Sequence, residues 1–313
     1  MFNTIRKLRQ RGIMGINSRN ASYIQGYNKR SLYPIVDDKL TTKSYAIDRG
    51  LAVPPLYNTI ESPGQLKNLK EILDPLEDFV VKPANGSGGD GILVFDGKYG
   101  DQYRTVSGRL VSFDEIHTHM IDTLSGVFSL GGQPDTAMIE YRVKFDPVFS
   151  KISYQGVPDV RIIVFQGIPV MAMVRLPTRQ SGGKANLHQN AIGAGIDVST
   201  GKTLSGVQGN SIVTTHPDTR ESIVDVQVPH WDNLLEIAAG CYELCGLGYL
   251  GVDLVLDKEL GPLILELNAR PGLNIQIANN DGLSRRLNII ENLDSIPVDI
   301  SERISFAKQH FSV

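Results

Sequence analysis

Three times in this chain two apolar runs are separated by a connection too short to hold a crossover helix. FVVK and GILVF flank residues 83–90, DVRIIVF and PVMAMVRL flank Gln166-Gly167, and GVDLVLD and PLILELN flank the turn DKELG. Strands joined in this way pair antiparallel. Further strands are predicted in LAVPPLY and MIEYRV, and helices over about residues 39–50 (closed by Gly50), 62–73 (opening at Ser62-Pro63), 112–124 and 231–245. Strands and helices in this irregular order indicate an α+β fold and not a repeating βαβ series.

With 313 residues, 41% hydrophobic and 21% charged, the chain can bury a sizeable core in one large or two moderate domains. A net charge of −3 gives no global basic field, so nucleic acid is not an expected partner. No apolar run reaches membrane-spanning length and the N-terminus lacks a signal-peptide core, which together predict a cytoplasmic protein with no transmembrane segment. Cys241 and Cys245 lie four apart in a helical pattern and read as buried thiols. The first 30 residues carry Arg6, Lys7, Arg9, Arg11, Arg19, Lys29 and Arg30 with no acid, a local basic arm that either docks on the domain as a solvated helix and loop or meets an anionic substrate or membrane surface. Composition does not speak to oligomeric state.

Several residues interrupt these patterns. The stretch KPANGSGGDG places glycines where backbone N–H groups can face phosphate oxygens, beside Lys82; an ordinary hairpin loop is the alternative. In GVDLVLD and PLILELN, period two sets Asp253 with Val255, and Ile264, Glu266 and Asn268 together. Antiparallel pairing brings Asp253 beside Glu266 and Asn268, a hard all-oxygen set suited to Mg²⁺, unless each acid ends its strand in solvent. Arg161 and Arg175 sit within apolar strands and require anions, either a ligand or, for Arg161, the nearby Asp159. Residues 176–195, with four glycines and no apolar periodicity, are expected to form a lid.

FVVKPANGSGGDGI, MIEYRV, PDVRIIVF, KANLH, GVDLVL and LILELNARPG, in this order, resemble the ATP-grasp superfamily. The pattern, with the opening GINSRNASYIQGYNKRSLYPIVDDKLTTK, is most similar to alpha-L-glutamate ligase-like proteins related to the ribosomal-protein glutamate ligases. The resemblance implies two α+β subdomains clasping ATP after a shortened N-terminal segment: a basic segment at 1–36, a first subdomain with the Gly-rich loop at 37–135, a second with the metal site at 136–293, and a tail at 294–313. It also implies roles. Lys39 and Lys82 would contact nucleotide phosphates under the mobile loop of Gly86, Ser87, Gly88, Gly89 and Gly91. Glu140, Tyr141, Arg142 and Val143 would form the hinge at the adenine edge, and Asp146 would meet the ribose. Lys184 and Asn186 would approach the γ-phosphate, and Asp253, Glu266 and Asn268 would hold Mg²⁺, with Mn²⁺ as an alternative.

The chain departs from the family pattern in two places. Only about 35 residues precede Asp37, and Gly251 stands where related ligases carry an arginine two residues before the first metal acid. Arg161, Arg175 or Arg270 would then stabilise the acyl phosphate. The implied activity is ATP-dependent ligation of a small carboxylate to an amine, the substrate being glutamate, an acidic peptide or a protein tail, or a different small acid or amine. His188 is either an acid/base group or a structural histidine. The alternative is a nucleotide-binding scaffold or sensor without turnover.

Overall fold

The computed structural model describes residues 6–8, 10–86 and 88–313, so Ser87 of the Gly-rich loop and Arg9 of the basic arm lie outside the described residues. The chain divides into two units. The smaller comprises Asp38–Leu40 and Val53–Val143; the larger comprises the described residues up to Asp37, Thr41–Ala52 and Lys144–Val313.

The smaller unit is built on six strands, β1 (Leu56–Ile60), β2 (Phe79–Pro83), β3 (Leu93–Tyr99), β4 (Gln102–Thr105), β5 (Leu110–Val111) and β6 (Ala137–Glu140). They are ordered β1-β6-β2-β3-β4-β5, every neighbouring pair antiparallel. The predicted strand LAVPPLY begins only at Leu56, because Pro54 and Pro55 cannot donate to a ladder. Helix α1 (Phe113–Leu124) opens on a capping box between Ser112 and Glu115. Its Ile116, Met120 and Leu124, spaced by four, bury one stripe against Phe79, Phe95 and Tyr103. The helix expected at 62–73 is split into a 3₁₀ segment, Pro63–Asn68, and an α-turn, Leu69–Leu73, since Asn68 leaves helical geometry at φ −97°, ψ 2°.

Seven strands form the sheet of the larger unit: β7 (Asp159–Phe165), β8 (Ile168–Leu176), β9 (Ile192–Ile196), β10 (Thr203–Gln208), β11 (Ser211–Val213), β12 (Tyr249–Asp257) and β13 (Gly261–Asn268). The order is β11-β10-β9-β8-β7-β12-β13, again antiparallel throughout. Phe165 pairs with Ile168 across Gln166 (φ 49°) and Gly167 (φ 80°), the left-handed pair that a two-residue hairpin needs. β7 and β12 are buried along their whole length. Helix α2 (Trp231–Cys245) packs against β7, and its Cys241 and Cys245 are buried free thiols, burial pushing Cys245 up to about 11.

The segment expected to be a lid is different. Residues 192–196 form a fully buried inner strand, β9, between β8 and β10. Its pattern hides from the sequence because helix α3 (Asn274–Ala278) lies directly on it: a Cβ at Gly195 would stand 2.6 Å from the carbonyl oxygen of Ala278. The preceding turn is fastened by Thr178 and Ser181, which exchange side-chain and backbone hydrogen bonds at 2.9–3.1 Å, and by Arg179 N–H donating to Asp218 at 2.8 Å. Among the described residues no helix is long and apolar enough to cross a membrane.

Candidate functional site

In the smaller unit, Val80 pairs with Glu140 and Lys82 with Met138, so Lys82 and Glu140 project from one sheet face on neighbouring strands. The two side chains form an ion pair, each at most 5% exposed. The lysine and glutamate that the resemblance assigns to phosphate and adenine therefore meet directly.

Lys39 lies at the root of the loop, its Nζ donating to the carbonyl oxygens of Gly86 (2.6 Å) and Ala84 (3.3 Å). Gly88, Gly89 and Gly91 have φ of 69°, 81° and 72°, a conformation that costs any side chain. Gly91 is constrained twice, because a Cβ there would also meet the Phe128 ring at 2.5 Å.

Sequence reasoning missed Asp135. Its buried carboxylate accepts hydrogen bonds from the Asn85 backbone (3.0 Å) and side chain (2.9 Å), Ser129 Oγ (2.5 Å) and Thr136 N–H (2.7 Å). It thereby ties the loop's first residues to the entry of β6. The only sequence signal is a lone acid immediately before an apolar strand in PDTAMIE.

Of the hinge residues, Tyr141 N–H donates to Pro55 O at 2.8 Å, Arg142 pairs with Asp78 at 3.1 Å, and Val143 is buried. Asp146 belongs to the larger unit, where its Oδ1 accepts from Val148 N–H at 2.9 Å and caps the 3₁₀ turn Pro147–Phe149. Asn186 caps a similar turn, Leu187–Gln189, through His188 N–H at 3.0 Å, while Lys184 and His188 are exposed.

In the larger unit the ladder registers Asp159↔Arg175, Arg161↔Asp253 and Asp253↔Glu266 line up five charged residues across β8, β7, β12 and β13. Arg161 donates to Asp253 through Nε (2.6 Å) and Nη2 (2.5 Å). Arg175 pairs with Asp159 through Nε and, at 2.7 Å, through Nη2, which also reaches Asp253 at 2.7 Å. The Asp159–Arg161 pair, the alternative to a ligand for Arg161, does not form, since residues directly opposite on adjacent strands are closer than residues two apart on one strand. Burial alone would raise the Asp253 carboxyl, but the two guanidiniums hold it down to about 2. Asp159, buried beside the Asp253 charge with Arg175 as its hydrogen-bonded cation, is pushed up to about 6.

Glu266 is half-buried, with no hydrogen bond or ion pair among the described residues. The register slips by one residue between Asp253 and Leu254, so Ile264 lies opposite Leu254 and does not share the face of Glu266. Asn268 pairs with Gly251, and its Oδ1 accepts from Arg270 N–H at 2.8 Å. A Cβ at Gly251 would stand 2.8 Å from Pro271, which explains why no arginine occupies that position. For Mg²⁺ the oxygen donors fit in kind, with Glu266 uncommitted and the Asn268 amide oxygen next along the strand; Asp253 is already held by both arginines. No group of three or more His, Cys, Asp or Glu side chains is gathered for a metal among the described residues. Arg270 is engaged elsewhere, paired with Asp37 at 2.9 and 3.1 Å and lying over the Tyr33 ring at 4.9 Å.

Three solved structures illustrate the likeness. ATP-grasp ligase PsnB, complexed with minimal precursor, Mg and ADP, is 13% identical with a TM-score of 0.47, covering 89% of this chain and 62% of that one. D-alanine–D-alanine ligase from Bacillus anthracis, complexed with ATP, is 14% identical with a TM-score of 0.44, covering 89% and 68%. D-alanyl-alanine synthetase A from Vibrio cholerae is 11% identical with a TM-score of 0.50, covering 88% and 67%. The chain thus spans about three fifths of the length of PsnB. No curated protein matches it significantly. A family model described as sugar-transfer associated ATP-grasp matches residues 18–292. With two antiparallel sheets of six and seven strands, the chain has the ATP-grasp fold and belongs to the sugar-transfer associated ATP-grasp family.

Proposed function

We propose that the protein is an ATP-dependent carboxylate–amine ligase working through an acyl phosphate, with glutamate or another small acid, free or at a peptide end, as a substrate. One observation carries the reading. Arg161 and Arg175 are fixed by Asp253 and Asp159 through Nε and Nη2, so each keeps an Nη1 with no acceptor among the described residues, on the sheet face that also carries Glu266. Two preoriented guanidiniums beside an uncommitted carboxylate suit a developing phosphoryl charge better than they suit a core.

In this mechanism a substrate carboxylate oxygen attacks the γ-phosphorus of ATP, the bond to the β,γ-bridging oxygen breaks, and ADP leaves. An amine nitrogen then attacks the acyl carbon, the carbon–oxygen bond to phosphate breaks, and the amine proton passes to solvent. Lys82 and Lys39 bind phosphate, and Arg161 and Arg175 orient the acyl phosphate. Glu266 and Asn268, with Asp253 beside them, are the residues that would hold Mg²⁺, which would supply charge neutralisation on the phosphate oxygens. Glutamate as the acid rests on the resemblance of the motifs; because the family is described as sugar-transfer associated, we add a sugar acid as a second candidate.

ADP release measured with MgATP, paired carboxylates and amines, and wild type against Glu266→Gln tests the reading. Turnover in wild type and a loss of about 100-fold or more in the variant are expected. ATP binding without ADP release for any pair would instead favour a nucleotide-binding protein without turnover, a reading that the double engagement of Asp253 supports.

A further inference from the structure

The basic arm is not a loose surface strand. Residues 16–27 form successive helical turns, with Arg19–Ile24 wound as a π-helix, and Asn28 stitches the arm to β12 by exchanging hydrogen bonds with Tyr249 at 2.7 and 2.9 Å. Tyr23 and Tyr27 stack edge-on against Phe165 at 5.6 and 4.7 Å. The docked arm and the turn after β13 border a half-open pocket of about 540 Å³ lined by three arginines, Arg19, Arg30 and Arg270, together with Asn20, Gln25 and Tyr33.

No acid lines this pocket. Among the described residues Arg19 donates only to neutral oxygens, Pro271 O at 2.8 Å and Asn20 Oδ1 at 2.9 and 3.1 Å. The Arg30 side chain has neither ion pair nor hydrogen bond among the described residues. Only Arg270 is offset, by Asp37. Two guanidiniums, Arg19 half-buried and Arg30 exposed, thus border a pocket of ligand size with no acid paired to them among the described residues, within a chain whose net charge is −3. The pocket also adjoins the proposed reaction centre, since Arg270 N–H caps Asn268, two residues from Glu266.

We infer that this pocket binds the carboxylate of the substrate that is to be ligated. The inference rests on the ligase reading for the identity of the anion, and deepens it by assigning the acid's anchor to the arm. Arg19 and Arg30 grip the carboxylate, Arg270 on the Tyr33 face forms the wall, and the Asn20 and Gln25 amides meet polar groups of the remainder. An amino acid and a sugar acid present the same carboxylate, and the amides accommodate the ammonium of one or the hydroxyls of the other.

Calorimetry on the full chain without ATP, with L-glutamate, D-glucuronate and inorganic phosphate as probes, decides the matter. At least one carboxylate should bind, and Arg30→Ala, at an exposed position, should weaken it about tenfold or more while leaving MgATP affinity and the thermal midpoint unchanged. Whichever of glutamate and glucuronate binds more tightly identifies the source of the carboxylate. Equal binding to wild type and variant, binding of neither acid, or phosphate outcompeting both would overturn the inference. Carboxylate binding without ADP release would count against the ligase reading and leave the pocket standing; ADP release with no carboxylate bound in the pocket would do the reverse.

Discussion

Arg161 and Asp253 face each other across the β7–β12 ladder and meet through two parallel hydrogen bonds of 2.6 and 2.5 Å, with Asp253 at 2% exposure. Removing the arginine leaves a buried carboxylate with Arg175 alone. Arg161→Ala is therefore expected to destabilise the protein by about 3–5 kcal/mol in urea unfolding, and the double variant Arg161→Leu/Asp253→Leu by much less, because it leaves no buried charge stranded. Equal losses in both would mean that packing, not charge, is what Arg161 contributes.

The Lys82–Glu140 pair makes a similar demand with a different readout. Lys82→Met is expected to cost about 3 kcal/mol or more in stability by removing the cation paired with the buried Glu140 carboxylate, and Lys82→Met/Glu140→Gln to recover most of it. Nucleotide affinity should fall in both variants if Lys82 meets phosphate. Full ATP affinity in the stable double variant, measured by calorimetry, would confine Lys82 to a structural role.

Substitutions in the glycine loop should not be equivalent. Gly88→Ala meets no atom within 4 Å and bears only the left-handed backbone penalty at φ 69°, about 1 kcal/mol. Gly91→Ala bears that penalty and also drives a methyl into Phe128, so its thermal midpoint should fall further than that of Gly88→Ala. Similar midpoints for the two would mean that Phe128 yields freely.

The hairpins were legible because short turns and apolar runs are local signals. β12 and β13 bring Asp253 opposite Glu266 as their spacing predicts. The bulge beside them was not legible, since one extra residue leaves composition unchanged while shifting the phase of Ile264. β9 escaped because Gly193 and Gly195 replace the apolar side chains that mark a strand, the Leu187 side chain filling the space at the first and helix α3 at the second. The partners of Arg161 and Arg175 needed the three-strand register, as Arg161 and Asp253 are 92 residues apart in sequence. Asp135 depended on backbone donors brought from 50 residues away, which no side-chain pattern encodes.

Asp197 supplies a pH-dependent prediction outside the candidate site. Its Oδ1 accepts from Ser199 N–H (2.8 Å), Ser199 Oγ (2.6 Å) and Thr200 N–H (2.9 Å), and its Oδ2 from Val313 N–H (2.7 Å). Burial alone would raise this carboxyl, but the hydrogen bonds outweigh it and lower its pKa below the ordinary value. A carboxyl whose folded-state pKa is depressed binds fewer protons in the native than in the unfolded chain. Its contribution is therefore present above the unfolded value near 3.9 and is lost as pH falls through the lower folded value. Asp197→Asn is expected to cost about 1–2 kcal/mol at pH 7, the worth of charge-assisted hydrogen bonds to this carboxylate. The gap between variant and wild type should close as pH is lowered through the acid range, followed by urea unfolding at each pH. A gap that stays constant down to the lowest pH at which both fold would show that Asp197 acts through shape and not through its charge.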